Sequence, residues 1–370
     1  MKVIDTKLFK TIQSPNFNSI FCKKTGEFFR WGATKNDDPD FCPFGNEILD
    51  IEISTICYGP QKENNKYSPC LACYKNLTSK GKNMSLETYK TILSKMPPTL
   101  HQTALGAGSI TNPHTGELVH PDLFNIMSYT REQGIVPNIT INGSKMDEEH
   151  YRQLACLSGA ISVSNYHKDS CYGTVEKLNS MKSLPEATLK QVNIHQILSL
   201  DTLPQCHEVI SDSKTDSRLK DLNAIVFLTL KPKRNRNTLT QLKDKWEYKK
   251  LIDIALSNNV RIGFDSCGCA AFLDAVKDYS NYDIMEKYCE SCESTLFSAY
   301  INVDGMFSPC SFAEGTPGWE EGLDVVNCNN FLKDIWNHPR TVEFRDKLLS
   351  TPSCNNNYCR TCPIYDLSME

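Results

Sequence analysis

Cys57, Cys70 and Cys73 are spaced Cys-x12-Cys-x2-Cys and begin directly after the apolar, alternating run Ile48–Ile56. Thiolates suit soft metal centres, and three of them can hold three irons of a four-iron cluster while leaving the fourth iron open to another ligand. The pair Cys70 and Cys73 also has the spacing of half a zinc knuckle, although no fourth zinc ligand stands in the loop. Buried free thiols are the third possibility. Seventeen cysteines in 370 residues are too many for an ordinary intracellular enzyme and an odd number for a disulfide framework, which makes metal binding the economical account.

A second concentration of thiols follows Cys267. Cys292 and Cys310 are related by Cys-x12-Gly-x4-Cys, with Tyr300–Val303 and Met306–Phe307 flanking Asp304-Gly305 as a hairpin. Such a hairpin brings the cysteines at its two ends together. Cys359 and Cys362 supply another pair, and four thiolates complete a closed four-iron site; a zinc ribbon is the alternative for this tail. Cys267, Cys269, Cys289, Cys328 and Cys354 are left over, so a further cluster, or a substitute ligand such as Cys289, stays open. Cys22, Cys42, Cys156, Cys171 and Cys206 occur singly and read as plain thiols.

The elements that must position these groups are legible in the hydrophobic pattern. Strands are expected at Leu49–Ser54, Gln102–Leu105, Pro137–Ile141, Ala160–Ser164, Val192–Ser199, Ala224–Leu230 and Arg261–Asp265, with helices between them such as Ser85–Met96, Pro121–Gly134, Asp147–Leu157 and Thr240–Asn258. This alternation predicts parallel strands with crossover helices, an α/β fold of the partial (β/α)6 TIM-like barrel type. No Gly-x-Gly-x-x-Gly follows the first strand, which argues against a dinucleotide-binding sheet. In a barrel the cysteine loop falls at the C-terminal mouth, where chemistry collects. The expected organisation is an N-terminal cap over 1–46, with a hairpin about Lys24-Thr-Gly26, the barrel over 47–266, and a cysteine-rich domain over 267–370. The cations of Lys231–Asn237 are expected on a mobile, solvated loop, with an anion contact open.

A net charge of −4 gives no pull toward nucleic acid or an anionic membrane. No apolar run is long enough to span a bilayer, and Met1–Lys7 lacks the apolar core of a secretory signal, so a cytoplasmic location is expected.

Cysteine loop, barrel pattern and three further motifs together resemble the radical S-adenosylmethionine (SAM) enzymes. Gly106-Ala-Gly-Ser109 stands where that family has Gly-Gly-Glu-Pro, Ile139–Gly143 is similar to its Thr-Asn-Gly strand end, and Ile161–Ser164 to its Ile-Ser-Val-Ser. The family's usual loop is Cys-x3-Cys-x2-Cys, so the first interval here is longer and Ala72 replaces an aromatic residue. The resemblance implies a SAM-binding [4Fe-4S] cluster on Cys57, Cys70 and Cys73. It also implies a cofactor pocket that includes Tyr74, Gly106, Gly108, Asn142, Ser164 and His195, although His195 on a buried strand has the plainer reading of a core residue. The tail looks like the auxiliary-cluster modules called SPASM or twitch, and implies a second [4Fe-4S] cluster on Cys292, Cys310, Cys359 and Cys362. The Cys-x2-Cys-x5-Cys-x3-Cys of a full SPASM pattern is missing, as in the shorter twitch form. The implied activity is an oxidoreductase or maturase that cleaves SAM to a 5′-deoxyadenosyl radical and abstracts hydrogen from a peptide or protein side chain. The rival substrate is a small alcohol or sugar, and the implied electron donor is flavodoxin- or ferredoxin-like. A non-catalytic iron-sulfur or zinc scaffold would explain the cysteines but not the barrel motifs.

Overall fold

The computed structural model describes residues 1–60, 67, 70, 72–106, 108–233, 236–350 and 360–369. The N-terminal residues form a four-stranded antiparallel sheet, β1 (Lys2–Asp5), β2 (Phe9–Gln13), β3 (Asn18–Cys22) and β4 (Phe28–Trp31), paired in that order. The expected hairpin about Gly26 is β3–β4, with Phe21 opposite Phe28. The cap is thus larger than a strand pair: β1 and β2 are short and half polar, and gain their partners only by stacking beside β3.

The barrel strands are β5 (Ile48–Glu52), β6 (Gln102–Gly106), β7 (Val136–Ile141), β8 (Ala160–Ser164), β9 (Gln191–Leu198), β10 (Ala224–Thr229) and β11 (Ile262–Phe264). Each pairs in parallel with the next. The crossovers carry α1 (Leu86–Lys95), α2 (Leu123–Glu132), α3 (Glu148–Leu157), α4 (Lys168–Met181), α5 (Leu203–Thr215) and α6 (Lys245–Ser257). Their starts follow from local chemistry: Ser85, Asp147 and Asp244 accept hydrogen bonds from the backbone N–H groups of Thr88, His150 and Trp246, which relieves donors a helix cannot satisfy itself. Along each strand one face carries Leu49, Ile51, Ile139, Ile161, Val163, Ile194 and Phe227 into the helical layer, nearly devoid of solvent exposure. The alternate face lines the lumen.

Two further helices, α7 (Cys269–Val276) and α8 (Tyr282–Lys287), lead into β12 (Ser298–Ile301), β13 (Met306–Ser308) and β14 (Leu323–Asp324), before α9 (Pro339–Ser350). Strand β12 pairs in parallel with β5, so the C-terminal hairpin continues the barrel's own sheet to ten strands. Gly305 closes the β12–β13 turn at φ +77°, and a Cβ there would lie 2.4 Å from Val326, so both conformation and space demand glycine.

The loop after β10 departs from expectation. Lys231 and Lys233 are buried, 5% exposed each, and Arg236 donates to the Leu77 carbonyl. Lys231 pairs with Asp265, and Lys233 donates to the carbonyls of Ser311, Phe312 and Glu314. Lys233 thus fastens the barrel to the C-terminal segment, whose carbonyls lie some eighty residues further along, while Lys231 and Arg236 hold groups within the barrel and the cysteine loop.

Candidate functional site

Cys57 follows β5 at the C-terminal mouth, and its loop is pinned at both ends: Thr55 N–H donates to the Lys82 carbonyl and Cys57 N–H to that of Thr78, both at 2.9 Å. Cys57 Sγ accepts from Gly59 N–H and Cys73 Sγ from Leu77 N–H, each at 3.3 Å, and Cys73 N–H donates to the Cys70 carbonyl. The three thiols line one cavity of about 360 Å³. Burial pushes the Cys57 and Cys70 thiols up, so their ionisation requires a metal partner. Among the described residues, no three His, Cys, Asp or Glu side chains stand close enough to hold a single metal ion.

Gly106, Gly108, Asn142, Ser164, His195 and Tyr74 line the same cavity. Gly108 is required by the cysteine loop: a Cβ would lie 2.2 Å from the Ile56 carbonyl oxygen and 2.7 Å from Cys57 Cβ. At Gly106 a Cβ would meet only ordinary contacts, the nearest at 3.4 Å. Asn142 donates to Ser109 Oγ at 3.3 Å and accepts from Ser144 N–H. The Ser109 hydroxyl in turn lies 3.7 Å from Cys57 Sγ. His195 also borders an adjoining cavity of about 270 Å³ with Ser164, Gln196, Ile197 and Thr202. Burial lowers its pKa to about 4, which leaves the imidazole neutral near pH 7. Sequence reasoning missed Tyr166, which is within electrostatic reach of all three thiols and hydrogen-bonded to Cys70. No spacing signal marks it, because it arrives from the turn after β8.

Tyr74 turns away from this cluster of groups toward the C-terminal segment. Its ring stacks on Phe312 at a centroid distance of 4.1 Å and its hydroxyl donates to Ser311 Oγ at 3.2 Å, while burial pushes its pKa up to about 12. It therefore ties the residue after Cys73 to the residues after Cys310.

A second cavity, of about 400 Å³, is lined by Cys292, Cys310 and Cys362 together with Cys267. Burial pushes Cys267 up to about 12 and Cys292 and Cys310 up to about 11. Cys267 arrives from the end of β11, beside Asp265 and Lys231, and nothing in its spacing from Cys292 signals the meeting. Cys354 and Cys359 lie outside the described residues. Cys289 does not line this cavity: its Sγ is 3.0 Å from that of Cys269. Cys328 lies on the far side of α1, where its carbonyl accepts from Lys95. Asp50 and Ser311 line both the first cavity and the second.

Residues 280–363 match the family model of SPASM, an iron-sulfur cluster-binding domain. No curated protein sequence matches the chain. Among solved structures the chain is similar to Streptococcus suis SuiB bound to precursor peptide SuiA, with 12% identity and a TM-score of 0.69 over 98% of this chain and 95% of that one. SuiB bound to S-adenosylmethionine gives 13% identity and a TM-score of 0.67 over the same shares. Native anSMEcpe with bound AdoMet and Cp18Cys peptide gives 15% and 0.55 over 84% of this chain and 88% of that one. At these identities the likeness is one of fold.

Proposed function

We propose that this chain, a radical SAM fold carrying a SPASM iron-sulfur domain, cleaves S-adenosylmethionine reductively and modifies a side chain of a peptide or protein. The observation that supports the reading is that Asp50 and Ser311 line both thiol-lined cavities, so a substrate beside them would lie next to both cysteine sites. The fold shared with two proteins solved with peptides bound supports the substrate class.

The residues fit the groups this chemistry needs. Cys57, Cys70 and Cys73 would hold one four-iron cluster with an iron left open. Asn142 and Ser164 offer hydrogen bonds, and the cavity beside His195 offers a mostly apolar wall, to a nucleoside-bearing cofactor. Bound there, cluster and SAM supply an electron and a 5′-deoxyadenosyl radical able to abstract hydrogen, chemistry that belongs to the cofactors. The chain's own part is positioning and exclusion of water. The Tyr74–Phe312 stack and the Lys75 ion pairs to Glu52 and Glu314 hold the cysteine loop against the C-terminal segment and close the lumen on that side. Of the second cavity's thiols, Cys267, Cys292, Cys310 and Cys362 would hold the auxiliary cluster, with Cys359 the competing fourth ligand. A cluster held there would supply a second redox centre beside the substrate space, and a flavodoxin- or ferredoxin-like protein would reduce the first. No helix among the described residues is long and apolar enough to cross a membrane.

Anaerobic reconstitution with iron and sulfide, followed by assay for 5′-deoxyadenosine under dithionite, tests the reading. Release of 5′-deoxyadenosine is expected; its absence from an iron-replete protein overturns it.

A further inference from the structure

Strand β5 alternates strictly: Leu49 and Ile51 pack under the helices, and Asp50 and Glu52 face the lumen. Aspartate disfavours a strand interior, and a carboxylate enclosed by protein is costly unless something compensates it. Around the lumen several other charges are compensated. Glu52 lies 3.3 Å from Lys75, which also pairs with Glu314. Asp265 holds Lys231, Glu293 pairs with Arg30, Lys233 is spent on three carbonyls, and Arg236 on another. Asp50 is the exception: among the described residues no hydrogen bond or ion pair is made by its carboxylate. Asp50 is exposed to the cavity it lines, and the protein around it raises its pKa to about 6. Its cross-strand neighbours are Ala104, which leaves space on one side, and Tyr300, whose hydroxyl is already engaged by Lys75. Asp50 also lines both cavities, as Ser311 does, where a substrate would lie between the two cysteine sites.

We infer that Asp50 is the anchor for a cationic side chain of the substrate, a lysine ammonium or an arginine guanidinium held at the junction of the two cavities. The inference rests on the peptide-modifying reading above. A carboxylate gains more from a full positive charge than from a neutral donor, and the charge-assisted hydrogen bond is directional enough to set the neighbouring C–H bonds in place. Because Lys75, Lys231, Lys233 and Arg236 are engaged elsewhere, a charge to meet this carboxylate would come with the ligand.

The test uses the full chain reconstituted with iron and sulfide in the presence of SAM. Pools of random heptapeptides with the central residue fixed as lysine, arginine, norleucine or aspartate are equilibrated with it, and retained peptides are quantified by mass spectrometry. The lysine and arginine pools should be retained roughly tenfold or more over norleucine, the ratio expected of one well-placed charge-assisted contact. That preference should vanish in Asp50→Asn and return in part in Asp50→Glu, with iron content confirming that each variant is assembled. Equal retention of the lysine and norleucine pools by the wild type overturns the inference, and so does a preference that survives in Asp50→Asn. Calorimetric titration of SAM supplies the remaining arm: if Asp50→Asn weakens SAM itself, the carboxylate serves the cofactor's own charge and the inference is wrong. Failure of the underlying reading looks different, since a wild-type protein that releases no 5′-deoxyadenosine under dithionite fails before any peptide is added.

Discussion

The first cysteine site is drawn from one loop, residues 57–73, hung on the end of one strand and tied down by backbone hydrogen bonds to residues 78 and 82. The second gathers Cys267, Cys292, Cys310 and Cys362 from the end of the barrel, a connecting segment, a hairpin and the tail. A local loop needs little besides its own closure, whereas a site of distant ligands exists only when the elements between them are packed. The two should therefore respond differently to damage.

The largest effect is expected from Cys57, Cys70 and Cys73 changed together to Ala. SAM cleavage should disappear while the second site keeps its metal, with iron falling from roughly eight to roughly four per chain, one four-iron cluster being lost. Iron analysis and Mössbauer spectroscopy check this. If 5′-deoxyadenosine is still released, the two sites are not separable as described.

Next in size is Cys267→Ala beside Cys359→Ala. Cys267→Ala should bring iron to roughly four per chain with the first cluster intact, and Cys359→Ala should leave roughly eight. The opposite result would make the second site a product of the hairpin and tail alone, and so more local than the cavity suggests.

Lys75 couples the regions, pairing Glu52 of the barrel with Glu314 after the hairpin. Lys75→Met should leave two carboxylates without their partner and cost about 3–5 kcal/mol, read as a lower urea midpoint. A change within error would mean that the two regions are held mainly by the shared sheet.

A smaller effect concerns acid. His101 is stacked between Phe21 and Phe28 of the N-terminal sheet, and its Nε2 is buried without a partner. Burial lowers its pKa to about 3, and Lys10 and Arg30 push the same way. The unfolded chain then binds the extra proton below pH ~6.5, so this contribution to stability is complete above that pH. It is lost at about 1.4 kcal/mol per unit as the pH falls from there toward 3. Urea midpoints between pH 7 and 5 should show a shallower decline in His101→Phe than in the wild type; equal slopes would place the acid sensitivity elsewhere.

The smallest effects belong to Asn142→Ala and Ser164→Ala, each expected to weaken SAM by about 0.5–1.5 kcal/mol without loss of iron. Calorimetry on the reconstituted protein decides; unchanged affinity in both would move the cofactor pocket away from these strand ends.

Much of the barrel was readable before folding is considered. Strand Ala160–Ser164 lies where its alternation puts it, and helices begin at Ser85 and Asp147 because a capping side chain is a local device, whereas the helix expected from Thr240 starts only after its cap at Asp244. The four-stranded N-terminal sheet was only half readable: the turn at Gly26 marks β3–β4, while β1 and β2 are short, largely polar strands that become a sheet only by pairing on to β3. Lys231, Lys233 and Arg236 are not the solvated cations that the polar run suggests. A charge count along the chain cannot see carbonyls at 311, 312 and 314 coming to meet Lys233.

The sequence by itself determined the kind of chemistry at the first site, because thiol identity, a strand before and a turn after are all local properties. It also determined the order of strands and helices, which the periods of two and 3.6 residues encode. Only the tertiary structure decided that Cys267 lines one cavity with Cys292, Cys310 and Cys362, that Tyr74 faces Phe312, and that Asp50, which lines both cavities, has no partner among the described residues. Each of these depends on which distant groups the packed sheet brings within a few ångströms, and on which charges they have already satisfied.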